Sequence, residues 1–254
     1  MTAHNMLNQQ EILGEGDKRS VPTQEAWLLQ IGEGNAVQLE LSWEGESVAW
    51  KATDNTLVLL DRVDIRVLEG TLSLCPFRLE VWSKLLVFID EARNMTDFDT
   101  GIIHWAPLPV EDVTMWQDRK RCESWFLQQM LDPSPMFSHL LALLRRSESY
   151  WLVRFLLAQS TCNSTLQTLG QRYGLSYSHF RRLCRHALGS AAKSELRDWR
   201  MARALLDVVD GQENLTQVAM KHGYASSSHF SNEIRVLLGV SPRGLSNIIQ
   251  LATK

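Results

Sequence analysis

The sequence predicts an α+β chain in two parts: a mixed α/β N-terminal regulatory domain, then an all-α C-terminal domain with two helix-turn-helix units joined by a linker helix. Three observations predict it. One pattern of apolar residues, a glycine and a His-Phe pair occurs twice near the C-terminus, short alternating apolar stretches lie before residue 80, and charge divides sharply near residue 140. Residues 1–140 carry 11 Lys and Arg against 22 Asp and Glu, whereas residues 141–254 carry 15 against 7, beneath a near-neutral total of −3. A regulatory or interaction domain is therefore expected over 1–140 and a polyanion-binding domain over 145–250.

In chain order, Ala36–Leu41, Thr56–Leu60 and Ile65–Leu68 are alternating apolar stretches separated by Gly, Asp and Asn, the pattern of short β-strands. Strands are expected over roughly residues 26 to 80. Periodic runs over 79–92 and 111–131 predict helices, the second stopped by Pro133 and Pro135, with a short helix over 136–146 leading into the C-terminal part. Seven of the nine tryptophans (27, 43, 50, 82, 105, 116 and 125) fall in this acidic half. Core filling accounts for most of them, and an apolar surface for a protein partner is the other use of such residues.

The repeat comes next. Its first copy runs Leu166, Leu169, Gly170, Gly174, His179-Phe180, Leu183, Leu188-Gly189, and its second runs Leu215, Val218, Ala219, Gly223, His229-Phe230, Ile234, Leu238-Gly239. The offset is 49 up to the turn glycine and 50 at the His-Phe and Leu-Gly pairs after it, so the second copy has one more residue in its turn. Each copy opens with an i, i+3, i+4 apolar stripe preceded by a capping pair, Ser164 with Gln167 and Asn214 with Gln217. A glycine then turns the chain at little cost. The second helix of copy one is apolar at Phe180, Leu183, Cys184, Ala187 and Leu188, and that of copy two at Phe230, Ile234, Leu237 and Leu238. Two helices joined by a tight turn, occurring twice, are paired helix-turn-helix units over 164–189 and 214–239. Between them, 194–209 reads as one helix about 24 Å long with Leu196, Trp199, Leu206 and Val209 on a stripe. Such a strut sets two units apart so that one chain can enter two successive major-groove segments.

Residues 145 to 250 resemble the DNA-binding domain of AraC/XylS-type transcription regulators. Arg200-Met-Ala-Arg-Ala-Leu-Leu206 matches the family's linker helix and Gly239-Val-Ser-Pro242 its closing motif. From about residue 6 onward the chain resembles the activators of type III secretion and invasion genes within that family, through 116–123, 147–153, 193–197 and 245–251. By that resemblance Ser178, Arg181 and Arg182 fall where the family reads bases, and an arginine there can bind guanine O6 and N7 together. Tyr177 and Arg185 share the face, with Arg185 assigned to phosphate. The matching face of copy two is Ser227, Ser228, Ser231 and Asn232, with less reach; the family commonly has arginine where Asn232 stands, and Glu233 occupies the position of apolar Leu183. Copy one is expected to dominate specificity and copy two to position the protein on the backbone, with Lys221, Arg235 and Arg243 as further phosphate contacts. The resemblance also implies partners: promoter DNA, RNA polymerase, and a type III secretion chaperone of the tetratricopeptide kind as co-activator. A homodimer is compatible with it.

Other chemistry finds little support. Cys75, Cys122, Cys162 and Cys184 are widely separated and read as free thiols, with no cofactor and no metal expected. No signal-peptide pattern opens the chain and no uninterrupted apolar stretch reaches 18 residues, which points to a cytoplasmic protein without a membrane span. His179 and His229, equivalent in the repeat, are expected to share a structural role at a helix start. Two other functions compete: a protein-interaction adaptor whose duplicated unit no longer binds DNA, and an enzyme acting through the N-terminal half, for which no acid-base pair or metal-ligand cluster stands in the sequence.

Overall fold

The computed structural model describes residues 10–32, 34–96, 98, 101, 103–160, 164–242 and 244. Arg243, Cys162 and the stretch 245–251 lie outside them. The chain divides into two compact units, Met1–Trp151 and Leu152–Lys254.

Among its described residues the first unit has nine antiparallel strands: β1 (Glu11–Leu13), β2 (Lys18–Val21), β3 (Glu25–Gln30), β4 (Val37–Trp43), β5 (Glu46–Ala52), β6 (Thr56–Leu60), β7 (Val63–Glu69), β8 (Leu72–Phe77) and β9 (Trp105–Pro109). They form a five-stranded sheet in the order β1-β8-β3-β6-β9 and a four-stranded sheet in the order β2-β7-β4-β5. Alternation decides how the sheets meet. Val37, Leu39 and Leu41 of β4 and Val63, Ile65 and Val67 of β7 enter one core with Trp27, Leu29, Val58, Leu60 and Leu74 of the other sheet, while Glu40, Asp64 and Arg66 face away from it. Strand β6 departs from alternation because all five residues are buried. Its second face, with Leu57 and Leu59, is closed over as well, and a strand covered on both faces is apolar throughout.

Helices α1 (Glu80–Ala92), α2 (Arg119–Gln129) and α3 (Pro135–Arg146) complete this unit, and α4 (Glu148–Gln159) follows. The single helix expected over 111–131 is interrupted. A short 3-10 turn, Val113–Gln117, ends where Asp118 adopts an extended conformation and accepts hydrogen bonds from the Lys120 and Arg121 amides, so that it caps α2. A side chain that competes for the backbone in this way restarts the helix. Pro135 sits at the start of α3, one residue earlier than expected, behind the Ser134 cap, where its missing N–H costs nothing. Strands β1, β2 and β9 were not expected; they are short edge strands, and β9 carries Pro107 and Pro109.

The second unit contains α5 (Leu166–Tyr173), α6 (Tyr177–Leu188), α7 (Ala192–Asp210), α8 (Leu215–Lys221) and α9 (Ser227–Leu238). The helix pairs α5/α6 and α8/α9 are the two copies of the repeat. Gly174 and Gly223 supply the turns with φ of 83° and 70°. Asn214 forms the expected capping box with Gln217. In copy one the cap is Thr165 in place of Ser164, since its hydroxyl accepts from the Thr168 amide.

Two expected stripes are corrected. On α7, Leu206 and Val209 are 67% and 46% exposed. At about 100° per residue, Leu196 and Trp199 point to one side of the helix, while Met201, Ala204, Leu205 and Val208 point roughly 150° further round. The latter four pack with Val218, Ala219, Phe230 and Ile234 of copy two, and α6 packs on α7 from copy one. The buried face therefore turns around the linker between its halves, and a straight continuation of the first stripe ends in solvent. On α9, Leu237 and Leu238 are 61% and 42% exposed, so its inward stripe is Phe230 and Ile234. The equivalent last turn of α6 buries Ala187 and Leu188 because α7 follows directly.

Candidate nucleic-acid interface

Each second helix starts at a serine. The Ser176 hydroxyl accepts from the His179 amide at 3.4 Å and Ser226 from the His229 amide at 3.1 Å. These caps fix the entry of α6 and α9, and the sequence carried the signal as a serine three residues before each histidine. The two histidine side chains are exposed, so what they share is the capped backbone amide, with the His229 ring also set against Tyr224 at 5.8 Å.

On α6, Ser178, Arg181, Arg182 and Arg185 stand at i, i+3, i+4 and i+7, all exposed on the face opposite Phe180, Leu183, Cys184 and Ala187. Tyr177, at the helix start, is 48% exposed. None of the three arginines has a hydrogen bond or ion pair among the described residues. Others in the same unit are engaged: Arg172 donates to Gln159 at 2.8 Å and Arg200 to the Ser160 carbonyl at 3.3 Å. Three adjacent, uncompensated guanidinium groups on one helix face give a strong local positive potential with donors directed outward.

Copy two presents less. Ser228 and Asn232 are exposed, Ser227 is half-buried, and the Ser231 hydroxyl donates back to the Ser227 carbonyl at 2.7 Å. Arg235 is exposed at the position equivalent to Arg185 and has no partner among the described residues. Lys221 is placed apart from this face, its ammonium 3.0 Å from Asp207 and 3.3 Å from Glu213. Glu233 is half-buried with one carboxylate oxygen shielded and without a donor. Burial, reinforced by this carboxylate, raises the Tyr224 hydroxyl pKa above its ordinary value.

Burial pushes the Cys122 and Cys184 thiols up to about 12, which leaves them protonated and inert near neutral pH. Among the described residues no group of three or more His, Cys, Asp or Glu could hold a metal ion, and no helix is long and apolar enough to cross a membrane.

Residues 169–247 match a family model described as a helix-turn-helix domain. Over 201 residues the chain is 56% identical to the invasion protein InvF of Salmonella typhi and of Salmonella typhimurium, spanning 79% of this chain and 93% of InvF. Over 119 residues it is 46% identical to the transcriptional regulator MxiE of Shigella flexneri, spanning 46% of this chain and 57% of MxiE. Among solved structures, ToxT of Vibrio cholerae aligns over 95% of this chain and 97% of its own, at 12% identity and a TM-score of 0.37.

Proposed function

Because this chain belongs, with InvF, to the AraC/XylS family of helix-turn-helix transcription regulators, we propose that it activates type III secretion and invasion-associated genes by inserting α6 and α9 into successive major-groove segments of promoter DNA. Residues 145–250 are the DNA-binding part and 1–140 the regulatory part. In this reading α6 reads bases through Ser178, Arg181 and Arg182, with Tyr177 and Arg185 on the backbone. Helix α9 adds Ser227, Ser228, Ser231 and Asn232, with Arg235 on phosphate. Lys221 reaches phosphate only by leaving Asp207 and Glu213.

The observation that carries the reading is the row of exposed arginines 181, 182 and 185, none of which has a partner among the described residues. A DNA duplex supplies the missing counter-charge along such a row. Titration of binding to a promoter duplex against salt tests it: affinity should fall steeply, with a log-log slope of about −0.9 for each phosphate neutralised. A flat profile would leave a protein-interaction adaptor instead.

The finer partners in this reading are RNA polymerase and a tetratricopeptide-type secretion chaperone acting as co-activator on the regulatory part, in the cytoplasm. A homodimer on DNA is compatible with the same arrangement. The acidic balance of residues 1–140 supports a protein partner over nucleic acid for that half, and the resemblance to type III secretion activators supports the chaperone. Transcription from purified components tests it: full activity without the chaperone would remove the co-activator.

A further inference from the structure

The offset of fifty places Ser178 against Ser228, Arg181 against Ser231, Arg182 against Asn232 and Arg185 against Arg235. The two reading faces therefore share their ends and differ in the middle. In α9 the differences are resolved by local bonding. The Ser231 hydroxyl proton is committed to the Ser227 carbonyl at 2.7 Å, so this side chain is turned back along its own helix. Glu233 has a carboxylate oxygen shielded from solvent, so its charge is drawn away from the face that would otherwise repel phosphate. Asn232 is exposed and makes no hydrogen bond among the described residues. Ser228, one turn earlier, stands on the same face.

A primary amide and a guanidinium ask for different bases. Guanine presents two major-groove acceptors, N7 and O6, which match the donor-only guanidinium. Adenine presents an acceptor at N7 and a donor at N6, which an amide meets with its NH₂ and its carbonyl together. An arginine over adenine would set its donors against the N6 amino group.

We infer that the second unit is a base reader in its own right, taking an adenine through Asn232, so that the operator carries a G·C pair under Arg182 and an A·T pair under Asn232 about one helical turn away. This rests on the placement of α6 and α9 in the major groove proposed above. It also gives the bound chain a direction. Reversal end for end would put the amide over guanine and the guanidinium over adenine, so the two bases fix the direction in which the chain lies on its operator.

Selection of binding sites from a randomised duplex pool by the full chain tests the inference, with Asn232→Ala and Asn232→Arg alongside. The parent chain should enrich guanine at one position and adenine about one turn away. Asn232→Ala should keep the guanine, lose the adenine preference and lower affinity for the adenine-bearing site about tenfold. Asn232→Arg should convert the second preference from adenine to guanine. Because Asn232 is exposed, both variants should keep the parent's thermal midpoint, and a variant that does not is replaced by Asn232→Ser and scored in the same way. An unchanged adenine preference in Asn232→Ala overturns the inference. So does a parent that selects guanine in one half with no base preference in the other. A parent that enriches no sequence in either half overturns the groove-reading proposal together with it, which separates the two failures.

Discussion

His222 donates from Nε2 to Oδ2 of Asp207 across 2.7 Å, joining the end of α8 to the last turns of α7. The same carboxylate oxygen receives the Lys221 ammonium at 3.0 Å. His222 is 3% exposed, so the bond from this histidine, aided by Lys221, holds the Asp207 carboxyl below its ordinary value of 3.8. A carboxyl that binds its proton less readily when folded stabilises the fold fully above the unfolded value, and that stabilisation disappears as pH falls through the folded one. Acidification below about 4 should therefore loosen copy two, read as faster hydrogen exchange in α8 and α9. Asp207→Asn should remove this acid sensitivity while lowering stability near neutral pH by about 1 kcal/mol.

Copy one depends on close approach. A Cβ built on Gly170 would come within 3.2 Å of the Phe180 ring, and Phe180 is fully buried against Tyr173 and Phe155 at centroid distances of 5.6 and 6.4 Å. Helix propensity favours alanine over glycine by about 1 kcal/mol, yet a ring held on both sides has little room to yield. Gly170→Val should destabilise copy one by about 2 kcal/mol or more, measured as a lower thermal midpoint together with weaker DNA binding. Ala219→Gly at the equivalent place should cost about 1 kcal/mol, from propensity and lost contact. A stabilised Gly170→Val would refute this account of the helix crossing.

These two sites also mark how far the sequence was legible. The repeat could be read because both copies need a small residue at the crossing, Gly170 or Ala219, a turn glycine and a capped start, and each requirement is local. The face of the linker could not. Leu206 and Val209 continue the line begun by Leu196 and Trp199, and only the position of copy two on the far side of α7 sends Leu205 and Val208 inward. Strand β6 was legible at its exact bounds, but its burial on both faces was not, since such burial erases alternation. The arginines of α6 were visible as residue types, but their lack of partners among the described residues depends on distances to every neighbour. The tie of Lys221 to Asp207 and Glu213 was equally hidden, being set by how α8 packs on α7.

In the first unit, Asp90 is fully buried and accepts from Arg145 Nε and Nη2 at 2.8 Å each and from the Tyr150 hydroxyl at 2.8 Å. One carboxylate thus holds α1, the end of α3 and the start of α4, with the Arg145 guanidinium also 5.2 Å from the centroid of the Phe98 ring. Asp90→Ala leaves a largely buried cation without its partner and should cost about 3–5 kcal/mol in urea unfolding. The double change Asp90→Leu with Arg145→Met removes both charges and should recover most of that loss. Tyr150→Phe should cost only about 1 kcal/mol. Equal losses in the single and double variants would place the effect in packing, not in the ion pair.

Arg182 and Arg185 are both exposed on α6 three residues apart, and their effects on DNA binding should nevertheless differ in kind. Arg182 lies nearer the capped start of the helix, where the side chains of a recognition helix reach base edges, whereas Arg185 lies one turn further along α6, at the position proposed above for phosphate, as does its counterpart Arg235 on α9. Arg182→Ala should weaken binding to the promoter site by about 1–3 kcal/mol and relax preference at one base pair, while leaving random duplex almost unaffected. Arg185→Ala should weaken both duplexes alike and reduce the salt slope by about one phosphate. Parallel titrations of the two variants on promoter and random duplexes check both. An equal loss on both duplexes for Arg182→Ala would move that side chain from the bases to the phosphates.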